Sequence, residues 1–257
     1  MKYPEEYSET TEKNFNKIFF VDLETTGLDA MRNEILTASI SVCDYHTLDQ
    51  IEEIELTFKP QNLKFWSQEA EAVHGISLQK ALTFQDKIHS TNELIRFFKR
   101  NSSPFPQPLV SHALNLKGYF FDQNFLLQHF MRSSQELFFE FRKMAGVSQS
   151  TINYAKAIGG FPNYKLSTLC AHFGIPLDHH NAKSDREACQ KLYSIFRSGG
   201  IFSKNEKIEN SFTSDSGKDK KYPSAIVGLI DQGTEKLQSL PEARLKPIAS
   251  TILGYLC

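Results

Sequence analysis

Residues 19–28 read FFVDLETTGL, which is the most informative stretch of this chain. Its apolar residues predict a buried strand, yet two carboxylates, Asp22 and Glu24, stand two residues apart within it. Because strand side chains alternate between faces, both carboxylates lie on the same face of the sheet. Two buried like charges repel each other unless something positive lies between them. The pattern therefore predicts a site for a divalent cation such as Mg²⁺, which prefers oxygen ligands.

Two further aspartates follow at a distance, each near the predicted start of a helix. Asp122 lies in FFDQNFLL, residues 120–127, where apolar residues recur at helical spacing. Asp185 lies in HNAKSDREAC, residues 180–189, after a predicted helix that ends at Gly174. Taken alone, Asp122 also suits an ordinary N-cap or a partner of the helix dipole. The order of the three segments is more informative than any one of them.

In this order the segments resemble the motifs of the DEDD-type 3′–5′ exonucleases. Residues 180–185 are similar to the H-x-A-x-x-D signature of the histidine subclass. EAEAVHGIS, residues 69–77, resembles the substrate-side segment of the branch that includes the proofreading subunit of bacterial DNA polymerase III. The resemblance spans residues 17–197, with one departure. A His-Asn pair usually precedes the second aspartate by about five residues, whereas His112 precedes Asp122 by about ten.

The resemblance implies a metal-dependent enzyme that hydrolyses single-stranded 3′ ends, DNA in preference to RNA, to nucleoside 5′-monophosphates. It implies two divalent cations, Mg²⁺ or Mn²⁺, and four carboxylate ligands: Asp22, Glu24, Asp122 and Asp185. It also places four residues at the terminal nucleotide: Thr25, Gly27, Leu28 and His74.

The general base implied by the resemblance is His180. Its neighbour His179 stands one residue too far from Asp185 to match the signature, and it lacks the alanine two residues on. A histidine suits this role because its ordinary pKa lies near neutral pH.

Three other functions stay open at this point. An exoribonuclease would use the same carboxylates, because DNA and RNA differ in 2′-hydroxyl contacts that no motif here announces. A nuclease-like binding module without catalysis would more often lack one of the five motif residues. A third reading is an interaction protein whose C-terminal tail is its main functional part. A role in DNA replication, as proofreading, or in repair would follow from the first reading.

The bulk properties exclude some classes of protein. The net charge of −1 and the pI of about 6.7 argue against a general polyanion binder coated in Lys and Arg. The four cysteines, Cys43, Cys170, Cys189 and Cys257, show no C-x-x-C spacing and are expected to be reduced. We see no signal peptide and no apolar stretch long enough to cross a bilayer, so we expect a cytoplasmic protein without membrane contact.

Hydrophobic periodicity predicts an α/β fold. Strands are expected at 17–23, 34–44, 50–59 and 109–112, and helices at 91–99, 122–132, 135–145, 165–173 and 184–197. A meander followed by alternating strands and helices predicts a mixed sheet flanked by helices. The resemblance identifies this arrangement with the ribonuclease H-like fold.

Composition divides the chain into four parts. We expect a polar N-terminal tail at 1–14, an exonuclease domain at 15–197, a flexible linker at 198–222, and a helical C-terminal appendage at 223–257. The appendage carries apolar residues at helical spacing on both sides of Pro241. It either packs on the nuclease domain or docks a protein partner such as a polymerase.

Overall fold

A five-stranded mixed sheet forms the centre of the computed structural model, which describes residues 14–114 and 120–198. The strands are β1 (Lys17–Thr25), β2 (Ile35–Asp44), β3 (Gln50–Thr57), β4 (Gln107–Ser111) and β5 (Ala145–Ser150). Their order in the sheet is β3-β2-β1-β4-β5. The first three strands form an antiparallel meander, while β4 runs parallel to β1 and β5 runs parallel to β4. The predicted α/β class with a mixed sheet is confirmed.

Helices flank the sheet in the described part of the chain. They are α1 (Gln68–His74), α2 (Leu78–Ala81), α3 (Lys87–Arg100), α4 (Phe121–Ser133), α5 (Gln135–Met144), α6 (Thr151–Ile158), α7 (Leu166–Phe173) and α8 (Ala182–Arg197). A 3₁₀ turn spans Leu63–Phe65. All five predicted helices are present, and α3 begins four residues earlier than expected, because the Asp86 side chain caps its first turn.

Strand β1 divides the core between the two faces of the sheet. Phe19 and Val21 point to a large cluster shared with the phenylalanines of α3, α4 and α5. Ile18 and Phe20 point to the opposite face, where they pack with residues of α8. Asp22 and Glu24 continue this second set, because side chains of the same parity share a face. The two carboxylates therefore lie on the α8 side of the sheet.

Helix α8 is aligned on this face by a row of residues spaced four apart. Asp185, Cys189 and Tyr193 are all buried, and the last two pack against Phe20 and its neighbours. Residues four apart lie on one side of a helix. Packing of the helix therefore carries Asp185 to the end of β1 that holds Asp22 and Glu24.

A buried arginine ties α8 to the antiparallel half of the sheet. Arg186 is fully buried, and its guanidinium donates to Ser39 Oγ at 2.9 Å and to Glu53 Oε2 at 2.6 Å. About one helical turn before Arg186, Lys183 Nζ lies 2.9 Å from carboxylate oxygens of both Glu53 and Glu55. These bonds bracket Asp185 in sequence and fix the helical turn that carries it.

Some predictions concern parts of the chain outside the described residues. The N-terminal tail, the linker and the appendage at 223–257 fall there, apart from Asn14 and Ser198. Within the described ranges, no helix is long and apolar enough to cross a bilayer. Cys43, Cys170 and Cys189 are buried free thiols, as predicted, whereas Cys257 is not described.

Candidate active site

Three of the four predicted carboxylates meet at one point. Oxygen atoms of Asp22, Glu24 and Asp185 all lie within 4.8 Å of one another. Asp22 and Glu24 are half-buried on β1, and Asp185 is buried in the first turn of α8. The expectation that the strand pair shares a face holds, and the fold adds a third carboxylate, Asp185, which follows Glu24 by 161 residues in sequence.

Asp122 approaches the same end of β1 from α4. Its Oδ1 accepts a hydrogen bond from the Leu23 N–H at 3.1 Å, between the two strand carboxylates. An isolated bridge joins Leu114 to Phe120, which brings the start of α4 back to the sheet despite the longer spacing after His112. Asp122 is 1% exposed, yet its Oδ2 has no hydrogen-bond partner among the described residues.

Burial, reinforced by mutual repulsion, raises the pKa values of the carboxylates in this cluster. Burial, followed by the charges of Asp122, Glu24 and Asp185, raises the pKa of Asp22 well above its ordinary value, and Arg186 only partly opposes this. Burial and the charges of Asp185 and Asp122 raise the pKa of Glu24 to about 8. Burial raises the pKa of Asp122 to about 7. Without a cation, this cluster holds protons that separate carboxylates would have lost.

The donor set fits divalent cations of the Mg²⁺ or Mn²⁺ type. All four side chains offer carboxylate oxygens, which hard cations prefer. The unpartnered Oδ2 of Asp122 is a buried acceptor that a cation would satisfy. A bound cation would also relieve the repulsion that raises these pKa values.

Two adjacent histidines lie beside Asp185 in the turn before α8. Their rings stack with centroids 3.8 Å apart, and His180 adopts a left-handed backbone conformation with φ of 68°. His179 Nδ1 lies 3.2 Å from Asp185 Oδ2, while His180 donates its backbone N–H to the same oxygen, also at 3.2 Å. Burial and the neighbouring His179 lower the pKa of His180, so its imidazole is neutral at pH 7 and able to accept a proton.

The cap of α8 explains why the histidines are presented in this way. The side chain of Asn181 accepts hydrogen bonds from the N–H groups of Lys183 and Ser184, which makes it the N-cap. The helix begins directly after it at Ala182, so His180 lies in the turn that leads into the helix. This is the location expected for the predicted base.

The four residues predicted to contact the terminal nucleotide lie at the end of β1. Ile76 N–H donates to His74 Nδ1, so the other ring nitrogen, Nε2, is the donor to the carbonyl of Thr25 at 3.2 Å. The Thr25 hydroxyl donates to the carbonyl of Gly27 at 2.7 Å. Leu28 is 72% exposed, which leaves a large apolar side chain in solvent in the loop that follows β1.

Gly27 is required by close packing. A Cβ atom on this residue would lie 2.7 Å from Oδ1 of Asn33. The Asn33 amide in turn donates to the carbonyl of Phe65 at 2.6 Å and to the Thr26 hydroxyl at 3.3 Å. The asparagine thus links the loop after β1 to the segment that precedes α1, and so holds His74 and Leu28 in the same region.

His112 is a structural residue that the sequence did not predict for this site. It is buried, and burial lowers its pKa to about 4, so it is neutral. Its Nε2–H donates to the carbonyl of Tyr164 at 3.1 Å, which leaves Nδ1 to accept from the Thr151 hydroxyl at 2.7 Å. His112 therefore joins the end of β4 to the start of α6 and to the residues before α7. The available signals were its place at the end of the predicted strand 109–112 and its likeness to the His-Asn pair that precedes the second aspartate in the family.

Solved structures of the same fold come from exonuclease I. The E. coli enzyme in complex with a dT13 oligonucleotide superposes with a TM-score of 0.59 at 17% sequence identity, covering 74% of this chain and 43% of that one. The same enzyme with a dA16 oligonucleotide superposes with a TM-score of 0.59 at 16% sequence identity, covering 71% of this chain and 41% of that one. A product-bound exonuclease I superposes with a TM-score of 0.58 at 16% sequence identity, covering 72% of this chain and 44% of that one. This chain thus matches less than half the length of those proteins, and the likeness concerns the fold.

A search of curated proteins by sequence found no significant match. The family model described as exonuclease, and named for RNase T, matches residues 19–193. That range contains all five motif residues: Asp22, Glu24, Asp122, His180 and Asp185. The chain therefore belongs to this exonuclease family.

Proposed function

We propose that this exonuclease belongs to the histidine subclass and removes nucleoside 5′-monophosphates from the 3′ ends of single-stranded DNA. The observation that carries the proposal is the convergence of Asp22, Glu24 and Asp185 within 4.8 Å, with His180 beside Asp185. Asp122 completes the set at the end of β1. Four carboxylates without a cation would be a costly arrangement for a protein that only binds nucleic acid.

Two divalent cations, Mg²⁺ or Mn²⁺, would be held by Asp22, Glu24, Asp122 and Asp185. When bound, such ions neutralise charge on the phosphate and lower the pKa of a bound water. His180, neutral at pH 7, takes the proton from the water that attacks phosphorus. The 3′ oxygen of the preceding nucleotide leaves, and the released nucleotide keeps its 5′-phosphate.

The residues at the end of β1 favour cleavage from a terminus. Leu28, four residues after Glu24 in sequence, is exposed and offers an apolar surface for a terminal base. His74 holds the carbonyl of Thr25, so the backbone of the loop is fixed before substrate arrives. We propose that this pocket takes the last nucleotide with its free 3′-hydroxyl.

Single-stranded DNA is the proposed substrate because the exonuclease I structures of the same fold hold DNA oligonucleotides. An exoribonuclease of the same mechanism is the alternative. Incubation with 5′-labelled DNA and RNA oligonucleotides of the same base sequence, with Mg²⁺, Mn²⁺ or EDTA, separates the two. We expect DNA to be shortened faster, and neither strand to be shortened in EDTA. Faster hydrolysis of RNA would replace the DNA assignment, and no metal-dependent hydrolysis of either would overturn the proposal.

A role in proofreading or repair, and a cytoplasmic location, remain predictions from the sequence. The proposed partner is a polymerase that binds residues 223–257, since a tethered nuclease gains local concentration without new contacts in the active site. Co-purification of the full chain with such a partner, compared with a chain that ends near Gly200, tests this. Retention of the partner by the shortened chain would contradict it.

A further inference from the structure

A cavity of about 600 Å³ opens beside two of the carboxylates. Asp22 and Asp185 form part of its wall, and Lys156, Tyr164 and Lys165 form another part. Neither Glu24 nor any of the four residues proposed for the terminal nucleotide lines it. Asp22 and Asp185 therefore border a cavity that extends to α6 and α7, and the residues proposed for the terminal nucleotide do not line it.

The two lysines of the cavity wall are not engaged in ion pairs with the described residues. Both are exposed, Lys156 in the last turn of α6 and Lys165 at the N-cap of α7. Lys183, which also lies near the site, is instead committed to Glu53 and Glu55. Two uncommitted ammonium groups on the wall of a cavity favour an anionic ligand such as a phosphodiester.

The wall that carries the lysines is fixed by His112. Its hydrogen bonds reach Thr151, the first residue of α6, and the carbonyl of Tyr164, which directly precedes Lys165. The Lys165 N–H donates to Asn163 Oδ1 at 3.0 Å, which further defines this turn. The backbone under both lysines is thus set by the fold, although their side chains are free to move.

We infer that Lys156 and Lys165 bind the phosphodiester backbone of the strand on the 5′ side of the scissile bond. This inference rests on the proposed function, in which the 3′-terminal nucleotide occupies the Leu28 and His74 side. The scissile phosphate must then lie at the carboxylates, and the rest of the strand must leave on the other side. The cavity is lined by Asp22 and Asp185 but not by Leu28 or His74, and its volume falls in the range of roughly 300–1,000 Å³ that ligand sites occupy. Its two lysines carry the positive charge that attracts phosphates.

Two substrates distinguish the sides of the site. A single-stranded DNA oligonucleotide occupies both, whereas the p-nitrophenyl ester of thymidine 5′-monophosphate has no nucleotide on the 5′ side. Hydrolysis of the ester breaks the bond between phosphorus and the phenolic oxygen, and gives thymidine 5′-monophosphate and p-nitrophenolate. The variants are Lys156→Ala and Lys165→Ala. The control is Lys143→Ala, which removes an exposed lysine of α5 that does not line the cavity.

We expect each cavity variant to raise KM for the oligonucleotide roughly tenfold, the scale of one lost charge-assisted hydrogen bond. Its effect on the ester should be much smaller, and Lys143→Ala should match the wild type on both substrates. The salt dependence of oligonucleotide binding should weaken by about 0.7 in the logarithmic slope for each lysine removed. Lys165→Arg should restore most of the affinity, because it restores the charge.

Binding of the oligonucleotide in Ca²⁺, followed by fluorescence anisotropy, gives a second readout that needs no turnover. Equal Kd values for wild type and both cavity variants would overturn the inference, as would equal losses on oligonucleotide and ester. If the wild type hydrolyses the oligonucleotide and both lysine variants have the same KM and Kd as the wild type, the inference about the lysines is wrong and the proposed function still stands. A wild-type protein without metal-dependent hydrolysis would overturn the proposed function itself.

Discussion

His179 and His180 contact the same carboxylate in different ways. Nδ1 of the His179 ring lies 3.2 Å from Asp185 Oδ2, whereas His180 reaches that oxygen through its backbone N–H. The His180 ring stacks on the ring of His179. Among the described residues, the His180 side chain forms no hydrogen bond, and only its backbone N–H reaches Asp185. Its imidazole is therefore available for a proton from water, while that of His179 is engaged with Asp185.

Replacement of His180 should reduce the rate far more than replacement of His179. We expect His180→Ala to lower kcat roughly 10²–10⁴-fold, the usual scale of general base catalysis. His179→Ala should stay within about tenfold of the wild type, which corresponds to about 1.4 kcal/mol in the barrier. Steady-state kinetics on one oligonucleotide measures both. Equal losses of rate, or a larger loss for His179→Ala, would show that His180 is not the general base.

Removal of one carboxylate should abolish hydrolysis and leave the fold intact. Asp22→Asn removes one of four like charges, so the remaining carboxylates of the cluster repel each other less. We therefore expect the metal-free variant to unfold at the same temperature as the wild type or higher, at pH 8. Differential scanning calorimetry with and without Mn²⁺ checks this, with Asp29→Asn as an exposed control. A large loss of stability together with lost activity would show that Asp22 supports the fold. The lost activity would then no longer indicate that Asp22 is a metal ligand.

The metal-free protein should lose stability as the pH rises. Glu24 has a pKa of about 8 in the folded chain, and an unfolded glutamate has one of about 4.3. Between these values the folded chain binds more protons than the unfolded chain, so the free energy of unfolding falls with rising pH. The contribution is fully present below the unfolded pKa and is lost as the pH rises through about 8. Asp122, with a pKa of about 7, acts in the same direction.

Thermal unfolding in EDTA over this pH range measures the effect. The melting temperature of the wild type should decrease toward pH 8.5, Glu24→Gln should show a weaker decrease, and Mn²⁺ should remove most of it. A wild-type melting temperature that rises over the same range in EDTA would contradict the raised pKa values.

The buried Arg186 should contribute strongly to stability. Its side chain is fully buried and bonded to Ser39 and Glu53, so Arg186→Ala leaves a cavity and removes the link between α8 and the sheet. We expect a loss of roughly 2–4 kcal/mol in the free energy of unfolding. Arg186→Met, which keeps most of the volume, should cost less. Urea denaturation measures both, and a loss below about 1 kcal/mol for Arg186→Ala would contradict the role given to this side chain.

The convergence of Asp22, Glu24 and Asp185 could be anticipated because the relevant signals are local. Two carboxylates in one buried strand imply a shared face, and the signature around Asp185 fixes a helix start. Phe19 and Phe20 already separate the two faces of β1 by parity. The long alternating run of β2 likewise allowed the meander to be predicted.

Other elements depend on contacts that no local pattern reveals. Strand β5, with the sequence AGVSQS, has few β-branched residues and was not predicted; it forms because it pairs with β4. Helix α6 is short and follows it directly, so it was missed as well. The burial of Arg186 and the bridging role of His112 are tertiary properties. The same is true of the cavity at Lys156, whose wall combines residues of β1, α6, α7 and α8 with residues that follow β4.

The most direct test of the central claim is a time course on a 5′-labelled single-stranded DNA oligonucleotide, with wild type and Asp185→Asn compared in Mg²⁺ or Mn²⁺. The wild type should produce a ladder that shortens one nucleotide at a time from the 3′ end, with nucleoside 5′-monophosphates as product. A 3′-phosphate should block it, and a circular strand should remain intact. Asp185→Asn should produce no ladder. Cleavage of the circle at a comparable rate, or an undiminished ladder from Asp185→Asn, would contradict the account.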